Sequence, residues 1–274
     1  MRSVLLLAVL PTLLCGAVPL QIVQPIVSQS EGGVADAPGT THVPGEILFF
    51  TCRVANFTKS PEEKIHLAYS VQPFDPKGVP LTEIYKNELT DEISPQDKEW
   101  LPRIATEVAI PPLVMSGNYK ILVKVEDVVG HTTAELSVPF QVRGHEVAPS
   151  DTLTVRNLRF FRNEEDTQPV ARAVYKAGST IWVKFDMTGY KFGPANKIDV
   201  SYIFKILSGD KVLYTNPEAA GDQTESFYPK TYVTGEFSVP IQPSVKPGEY
   251  AIQVEVKDAV GNQNYQIKLA FTVE

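Results

Sequence analysis

One strand–turn–strand pattern occurs twice in this chain, and this repeat constrains the fold more than any other feature. The stretches GNYKILVKVEDVVGHT (117–132) and GEYAIQVEVKDAVGNQ (248–263) carry glycine, tyrosine, alternating aliphatic residues, aspartate and glycine in the same order and at the same spacing. Two further pairs of segments align upstream: 45–57 with 178–190, and 64–71 with 197–204. The chain is therefore predicted to contain one scaffold built twice.

Apolar and polar residues alternate within the matched segments, which is typical of a strand with one buried face. The apolar positions of one strand match between the copies: Leu48, Phe50, Cys52 and Val54 against Ile181, Val183, Phe185 and Met187. Turn residues separate about seven such segments per copy, and no long segment has helical period. The pattern predicts an all-β protein of two tandem antiparallel β-sandwiches with Greek-key connections: 18–144, a linker at 145–150, and 151–274.

The repeated stretch also predicts a corner tyrosine and the turn residues of each copy. Tyr119 and Tyr250 begin a strand where Greek-key sandwiches often place a tyrosine whose hydroxyl bonds the backbone. An aspartate follows in each copy and can accept backbone N–H bonds in the turn, while the next glycine is expected to supply a positive φ. The predicted turn residues are Asp127 and Gly130 in the first copy, and Asp258 and Gly261 in the second.

The motif G-x-Y-x-I-x-V-x-V-x-D-x-V-G is followed in both copies by F-x-V, at Phe140 and Val142 and again at Phe271 and Val273. This combination resembles the closing hairpin of bacterial immunoglobulin-like and PKD-like modules. The resemblance covers the closing third of each copy. It implies an immunoglobulin-like fold for both sandwiches and is not specific for any function.

The first residues, MRSVLLLAVLPTLLCGAV, read as an export signal, with one basic residue before an apolar run too short to span a bilayer. We expect a signal peptide of 1–17, cleaved near Ala17. Cys15 suggests a lipid anchor instead, but the bulky Leu14 before it disfavours this alternative. No later stretch has the length of a transmembrane helix, so a secreted or periplasmic location is expected.

The net charge and the cysteine content argue against several kinds of partner and against an intramolecular disulfide. The formal net charge is -7 and no basic block is present, so nucleic acid and anionic membranes are poor partners on electrostatic grounds. Once the signal is removed, Cys52 is the single cysteine, and no intramolecular disulfide can form. Its place on an apolar strand face predicts a packed small hydrophobe rather than a nucleophile.

No cofactor and no metal is expected. The four histidines, His42, His66, His131 and His145, are scattered without metal-ligand spacing and are expected to be solvated loop residues. Calcium at Asp127 or Asp258 is an alternative to turn capping, but calcium needs six to eight oxygen ligands, and each turn offers few. No GxSxG or phosphate-binding loop is present.

Five aromatic residues are candidate contacts for a ligand or partner. Phe49 and Trp182 occupy equivalent outward-facing positions in the two copies. The long polar connections 86–101 and 215–230 hold the others, Trp100, Phe227 and Tyr228. Loops on a rigid scaffold often carry function. The competing interpretation is that neighbouring segments cover these side chains.

The sequence therefore predicts a non-catalytic binding or structural protein whose partner is a protein or a cell-surface polymer. A carbohydrate-binding module is one alternative, and it requires exposed aromatic side chains on one surface. A hydrolase with a site between the two domains is the other, and it requires convergent acidic groups in a cleft.

Overall fold

The structure of the protein is a computed structural model that describes residues 18–94, 96–97 and 99–274. It is all-β, with its sheets in a sandwich-like arrangement, which confirms the prediction of an all-β sandwich fold. The predicted signal peptide, with Cys15, lies outside the described residues. No helix within the described ranges is long and apolar enough to cross a membrane.

The N-terminal half, 18–144, forms two sheets. A three-stranded sheet has the order β1-β3-β6, and a five-stranded sheet has the order β2-β8-β7-β4-β5. In this half β2 and β8 pair in parallel, and the other strand pairs among its described residues are antiparallel. The strands are β1 Gln21–Ser28, β2 Thr41–His42, β3 Ile47–Ala55, β4 Lys64–Phe74, β5 Tyr85–Glu92, β6 Arg103–Ala109, β7 Gly117–Asp127 and β8 Thr132–Val142.

The C-terminal half, 151–274, repeats this plan. One sheet has the order β9-β11-β15, and the other has the order β10-β17-β16-β12-β13, with β14 also pairing with β12. A short 3-10 helix, Pro194–Asn196, precedes β12. The strands are β9 Thr154–Phe161, β10 Val174–Tyr175, β11 Thr180–Thr188, β12 Ile198–Ser208, β13 Lys211–Thr215, β14 Ala220–Thr224, β15 Tyr232–Pro240, β16 Gly248–Asp258 and β17 Gln263–Val273.

Each half has its own hydrophobic core between its two sheets. Alternation along β3 buries Leu48, Phe50 and Cys52, and the matched face of β11 is buried in the same way. Burial of such a face is the main stabilising contribution available to a sandwich of this size. One side chain crosses the division: Tyr228 of the C-terminal half belongs to the core of the N-terminal half.

The two long polar connections differ from the prediction, because each contains a strand. The range 86–101 overlaps β5, and 215–230 contains β14. Both strands lie beside one neighbour only and are exposed along nearly their whole length. A strand that buries neither face shows no apolar alternation, so the sequence pattern could not reveal it.

Candidate functional site

The predicted corner tyrosines and turn aspartates occupy equivalent positions in the two halves. The Tyr119 hydroxyl donates to the Met115 carbonyl at 2.7 Å, and the Tyr250 hydroxyl donates to the Lys246 carbonyl at 2.8 Å. Asp127, fully buried, accepts the backbone N–H groups of Thr58, Val129 and Gly130. In the second half, Asp258 accepts from the N–H groups of Lys191 and Gly261 and from the Gln263 amide. Each carboxylate therefore ties its turn to the segment that follows β3 or β11.

The turn glycines serve a different purpose from the predicted one. The positive φ falls one residue later, at His131 (51°) and Asn262 (50°). Glycine is required because a Cβ on Gly130 would lie 2.1 Å from Thr58 Oγ1 and one on Gly261 would lie 2.3 Å from Asp258 Oδ2. The aspartate anchor draws the turn so close to the neighbouring segment that no side chain fits.

The two halves meet where Tyr228 enters the N-terminal half. Its hydroxyl donates to Asp75 Oδ2 at 3.0 Å, and the side chain is only 9% exposed. Burial and the neighbouring Asp75 carboxylate raise the pKa of Tyr228 far above its ordinary value, so the hydroxyl stays protonated and donating. The other Asp75 oxygen accepts the N–H groups of Lys77 and Val79. Tyr228, one of the candidate ligand contacts, is therefore a contact within the chain and is not free for an external ligand.

A second polar contact lies at this junction. The buried Asp186 Oδ2 accepts from the Asn157 amide at 2.7 Å and contacts His145 Nε2 at 2.8 Å. The His145 ring also packs edge-on against Tyr232. The predicted linker is thus held against the C-terminal half by His145, although its side chain stays 51% exposed, as expected for a solvated loop residue.

His42 was expected to be solvated like the other histidines, but it is 2% exposed, and this expectation is wrong. It lies between Asp36 and Glu46, with nitrogen–oxygen distances of 3.3 and 3.4 Å, and packs edge-on against Phe140. His66 instead lies near the surface and contacts Glu88 at 2.8 Å. His42 is therefore a buried residue that packs against the N-terminal core through Phe140.

The far end of the C-terminal half carries an apolar depression of about 530 Å³. We call it the C-terminal groove. It opens beside the start of β16 and the end of β17, where the described chain ends. Its lining includes Phe204, Leu213, Tyr214, Ile241, Val245 and Tyr250. Leu213 and Tyr214 are each 49% exposed, an unusual state for two adjacent large apolar side chains.

The N-terminal half has a surface equivalent to the C-terminal groove, but the residues of that surface are buried. In the repeat register, Leu81 corresponds to Tyr214, and both stand opposite the equivalent residue of the preceding strand, Pro73 or Ile206. Leu81 is 2% exposed and belongs to the core cluster that contains Tyr228. Val114 and Tyr119, which correspond to Val245 and Tyr250, are also buried, whereas Val245 and Tyr250 are half-buried. The two halves therefore have equivalent surfaces at this position. The surface of the N-terminal half is covered, and that of the C-terminal half, the C-terminal groove, is open.

The other candidate aromatics lie apart. Phe49 and Trp182 are half-buried on the outward faces of β3 and β11. Trp182 stands opposite Phe161 and Ser238 of the flanking strands. Trp100 is 37% exposed just before β6, and Phe227 is exposed beside the junction. Within the described ranges, no aromatic contact joins any two of the five candidates.

The outward faces of the two larger sheets form open grooves, and charged side chains line both. In the N-terminal half, Lys124 pairs with Glu135 at 3.0 Å. In the C-terminal half, Lys205 pairs with Glu255 at 2.6 Å and holds the pKa of that carboxyl below its ordinary value. These charges neutralise one another and are solvated, which is normal for the outer face of a sandwich.

Sequence reasoning missed Asp75 and the residues of the C-terminal groove. Asp75 lies in a polar turn, and nothing local indicates a tyrosine partner from the other half. The groove could have been found by comparing the copies, since Leu81 is replaced by the larger and more polar Tyr214.

Comparison with known proteins gives little further information. No family model and no curated protein sequence matches the chain. One similar solved structure is the C-terminal domain of the AgI/II polypeptide BspA of Streptococcus agalactiae, with 10% sequence identity. The match covers 91% of this chain and 100% of that chain, with a TM-score of 0.31. A TM-score this low does not establish a shared arrangement of the strands.

Proposed function

We propose that this chain is a non-catalytic, extracytoplasmic binding or structural protein with two sandwich domains divided at 145–150. The division is supported by the sheets and cores, since all strand pairs among the described residues form within one half. The extracytoplasmic location rests on the apolar N-terminal stretch of the sequence. The buried carboxylates Asp75, Asp127, Asp186 and Asp258 support a non-catalytic role, because each accepts hydrogen bonds that fix a turn or the junction.

The observation that carries the proposal is the uncovered C-terminal groove. In this proposal it is the binding surface, and its partner is a protein that presents an aromatic side chain from a loop. The junction supports this chemistry, because the corresponding surface of the N-terminal half receives Tyr228 from a loop. An aromatic side chain buries about 150–250 Å² and is a common anchor of protein interfaces.

The test is capture from an envelope extract of cells that lack this chain, with the wild type and two variants as bait. Leu213→Asp places a charge in the groove and is expected to abolish capture. Val212→Asp is the matched control, since Val212 is the preceding residue of β13, is equally exposed and does not line the groove. The proposal fails if Leu213→Asp captures as the wild type does. It also fails if neither this extract nor a second copy of the chain supplies a groove-binding protein.

A further inference from the structure

The junction between the two halves has two components, a receiving surface and an inserted aromatic residue. Each component has an equivalent elsewhere in the molecule, and within the described ranges neither equivalent has a partner. The receiving surface recurs as the C-terminal groove. The inserted element is the connection before β15, which carries Tyr228. The corresponding connection of the N-terminal half runs from β5 to β6 and carries Trp100.

Trp100 lies at one end of the N-terminal half. The equivalent end of the C-terminal half is the one that faces the junction and carries Tyr228. The Leu101 carbonyl beside it accepts from Arg53 near the end of β3 at 2.9 Å. In the other half, the Thr231 carbonyl accepts from Thr188 at the end of β11 at 2.9 Å. Both connections therefore lead into the equivalent edge strand of the equivalent sheet, β6 or β15, and each presents an aromatic residue within a few positions of that strand.

We propose that a second copy of this chain inserts Trp100 into the C-terminal groove, so that molecules associate head to tail. This inference rests on the proposed function and names its partner. The contact joins two different surfaces of the chain and does not close, so repeated addition extends a linear assembly. Each added copy would stack on the last as the C-terminal half stacks on the N-terminal half within one chain.

The test uses residues 18–274, which supply both cores, in sedimentation velocity over a range of concentrations. The wild type is expected to show an average mass that rises with concentration beyond that of a dimer. Leu213→Asp and Trp100→Ala are each expected to weaken association at least tenfold. Val212→Asp and Phe227→Ala are the controls and are expected to associate as the wild type does, because each changes an exposed apolar residue outside the proposed contact.

Mixing the two defective variants gives the decisive result. Leu213→Asp keeps Trp100, and Trp100→Ala keeps the groove, so an equimolar mixture is expected to form a 1:1 heterodimer and nothing larger. Circular dichroism shows whether each variant is folded. A wild type that stays monomeric overturns the head-to-tail inference, as does association that both variants retain or a mixture that forms no heterodimer. In the first of these outcomes, groove-dependent capture from the extract would still support the proposed function.

A second readout follows the inserted residue itself. The chain has two tryptophans, so Trp182→Phe leaves Trp100 as the single tryptophan, whose emission can be excited selectively over that of the tyrosines. Insertion into an apolar groove is expected to move its emission to shorter wavelength as the concentration rises. Adding Leu213→Asp to this protein should remove the shift, and a shift that persists would contradict insertion at the groove.

Discussion

The Tyr228 hydroxyl donates to Asp75 across 153 positions of sequence, and this buried bond joins the two halves of the molecule. Tyr228→Phe keeps the ring but leaves a buried carboxylate oxygen without its donor. We expect the free energy of unfolding to fall by about 1–3 kcal/mol. Tyr250→Phe is the comparison, because its hydroxyl bonds a backbone carbonyl at the exposed groove and should contribute about 0.5–1.5 kcal/mol.

A double-mutant cycle isolates the contact. Tyr228→Phe, Asp75→Asn and the double variant are compared by denaturant unfolding, since residues in direct contact show non-additive changes. Additive effects would mean that the hydroxyl and the carboxylate stabilise the molecule independently and that the junction is held by other contacts.

The turn glycines give a prediction that separates close approach from backbone conformation. Gly130→Ala is expected to lower the free energy of unfolding by about 1–3 kcal/mol, because the added methyl group overlaps Thr58 and Asp127. His131→Gly is expected to be neutral or slightly stabilising. Relief of about 1–2 kcal/mol of left-handed strain exceeds the added unfolded-state entropy of glycine, about 0.4–1 kcal/mol.

Gly193→Ala is the control for this pair. A Cβ there would meet its nearest neighbour at 3.5 Å, an ordinary contact, and the change should stay within about 0.5 kcal/mol. Thermal unfolding of the three variants distinguishes close packing from backbone conformation as the reason for the glycine. If His131→Gly costs more than Gly130→Ala, close packing against Asp127 is not the reason for the glycine.

Much of the scaffold could be predicted because strand alternation and the repeat are local properties of the sequence. The faces of β3 and β11 follow from alternation alone, as with Phe50 and Phe185. Edge strands such as β14 could not be found in this way, because they bury neither face. The role of Gly130 was assigned wrongly, since a glycine that avoids a clash and one that adopts a positive φ look the same in sequence.

The candidate site was less predictable, because it depends on what covers a surface. Strand alternation places Phe49 and Trp182 on outward faces, but the exposure of these side chains is decided by neighbouring strands that the sequence does not place. The sequence indicates Tyr228 as a loop aromatic that is available to a ligand, and the structure buries it against Asp75 instead. Among the residues that the structure describes, no loop covers the C-terminal groove as the loop of Tyr228 covers the equivalent surface of the first copy. The replacement of Leu81 by Tyr214 indicates a difference between the copies, but only the structure shows that one surface is covered and the other is open.

Trp182 can be tested separately from the groove. Because it is half-buried between neighbouring strands, Trp182→Ala is expected to lower the free energy of unfolding by about 1–3 kcal/mol, less than a fully buried tryptophan would. We expect its capture of protein partners to equal that of the wild type, since Trp182 does not line the groove. Loss of capture by a folded Trp182→Ala protein would move the binding surface to the outward face of β11. Binding of the wild type to a glycan array that is lost in this variant would favour the carbohydrate-binding alternative.

Cys52 predicts how stability changes at alkaline pH. Burial raises the pKa of its thiol from an ordinary value of 9.0 to about 12. Between these pH values the unfolded chain has lost the thiol proton while the folded chain keeps it. The unfolded state thus binds fewer protons, and the free energy of unfolding falls as pH rises. One such group contributes a slope of at most about 1.4 kcal/mol per pH unit. Tyr119 and Tyr175, whose pKa values burial raises to about 12, add to this slope above pH 10.

Cys52→Val removes the thiol contribution and keeps an apolar side chain on the buried face of β3. Denaturant unfolding from pH 8 to pH 11 is expected to show a shallower loss of stability in the variant than in the wild type, with the difference beginning near pH 9. A thiol reagent should label the native wild type only as fast as the protein opens, because the thiol is 1% exposed and protonated. Parallel pH profiles for the two proteins, or rapid labelling of the native state, would show that Cys52 is accessible and ionises as it does in the unfolded chain.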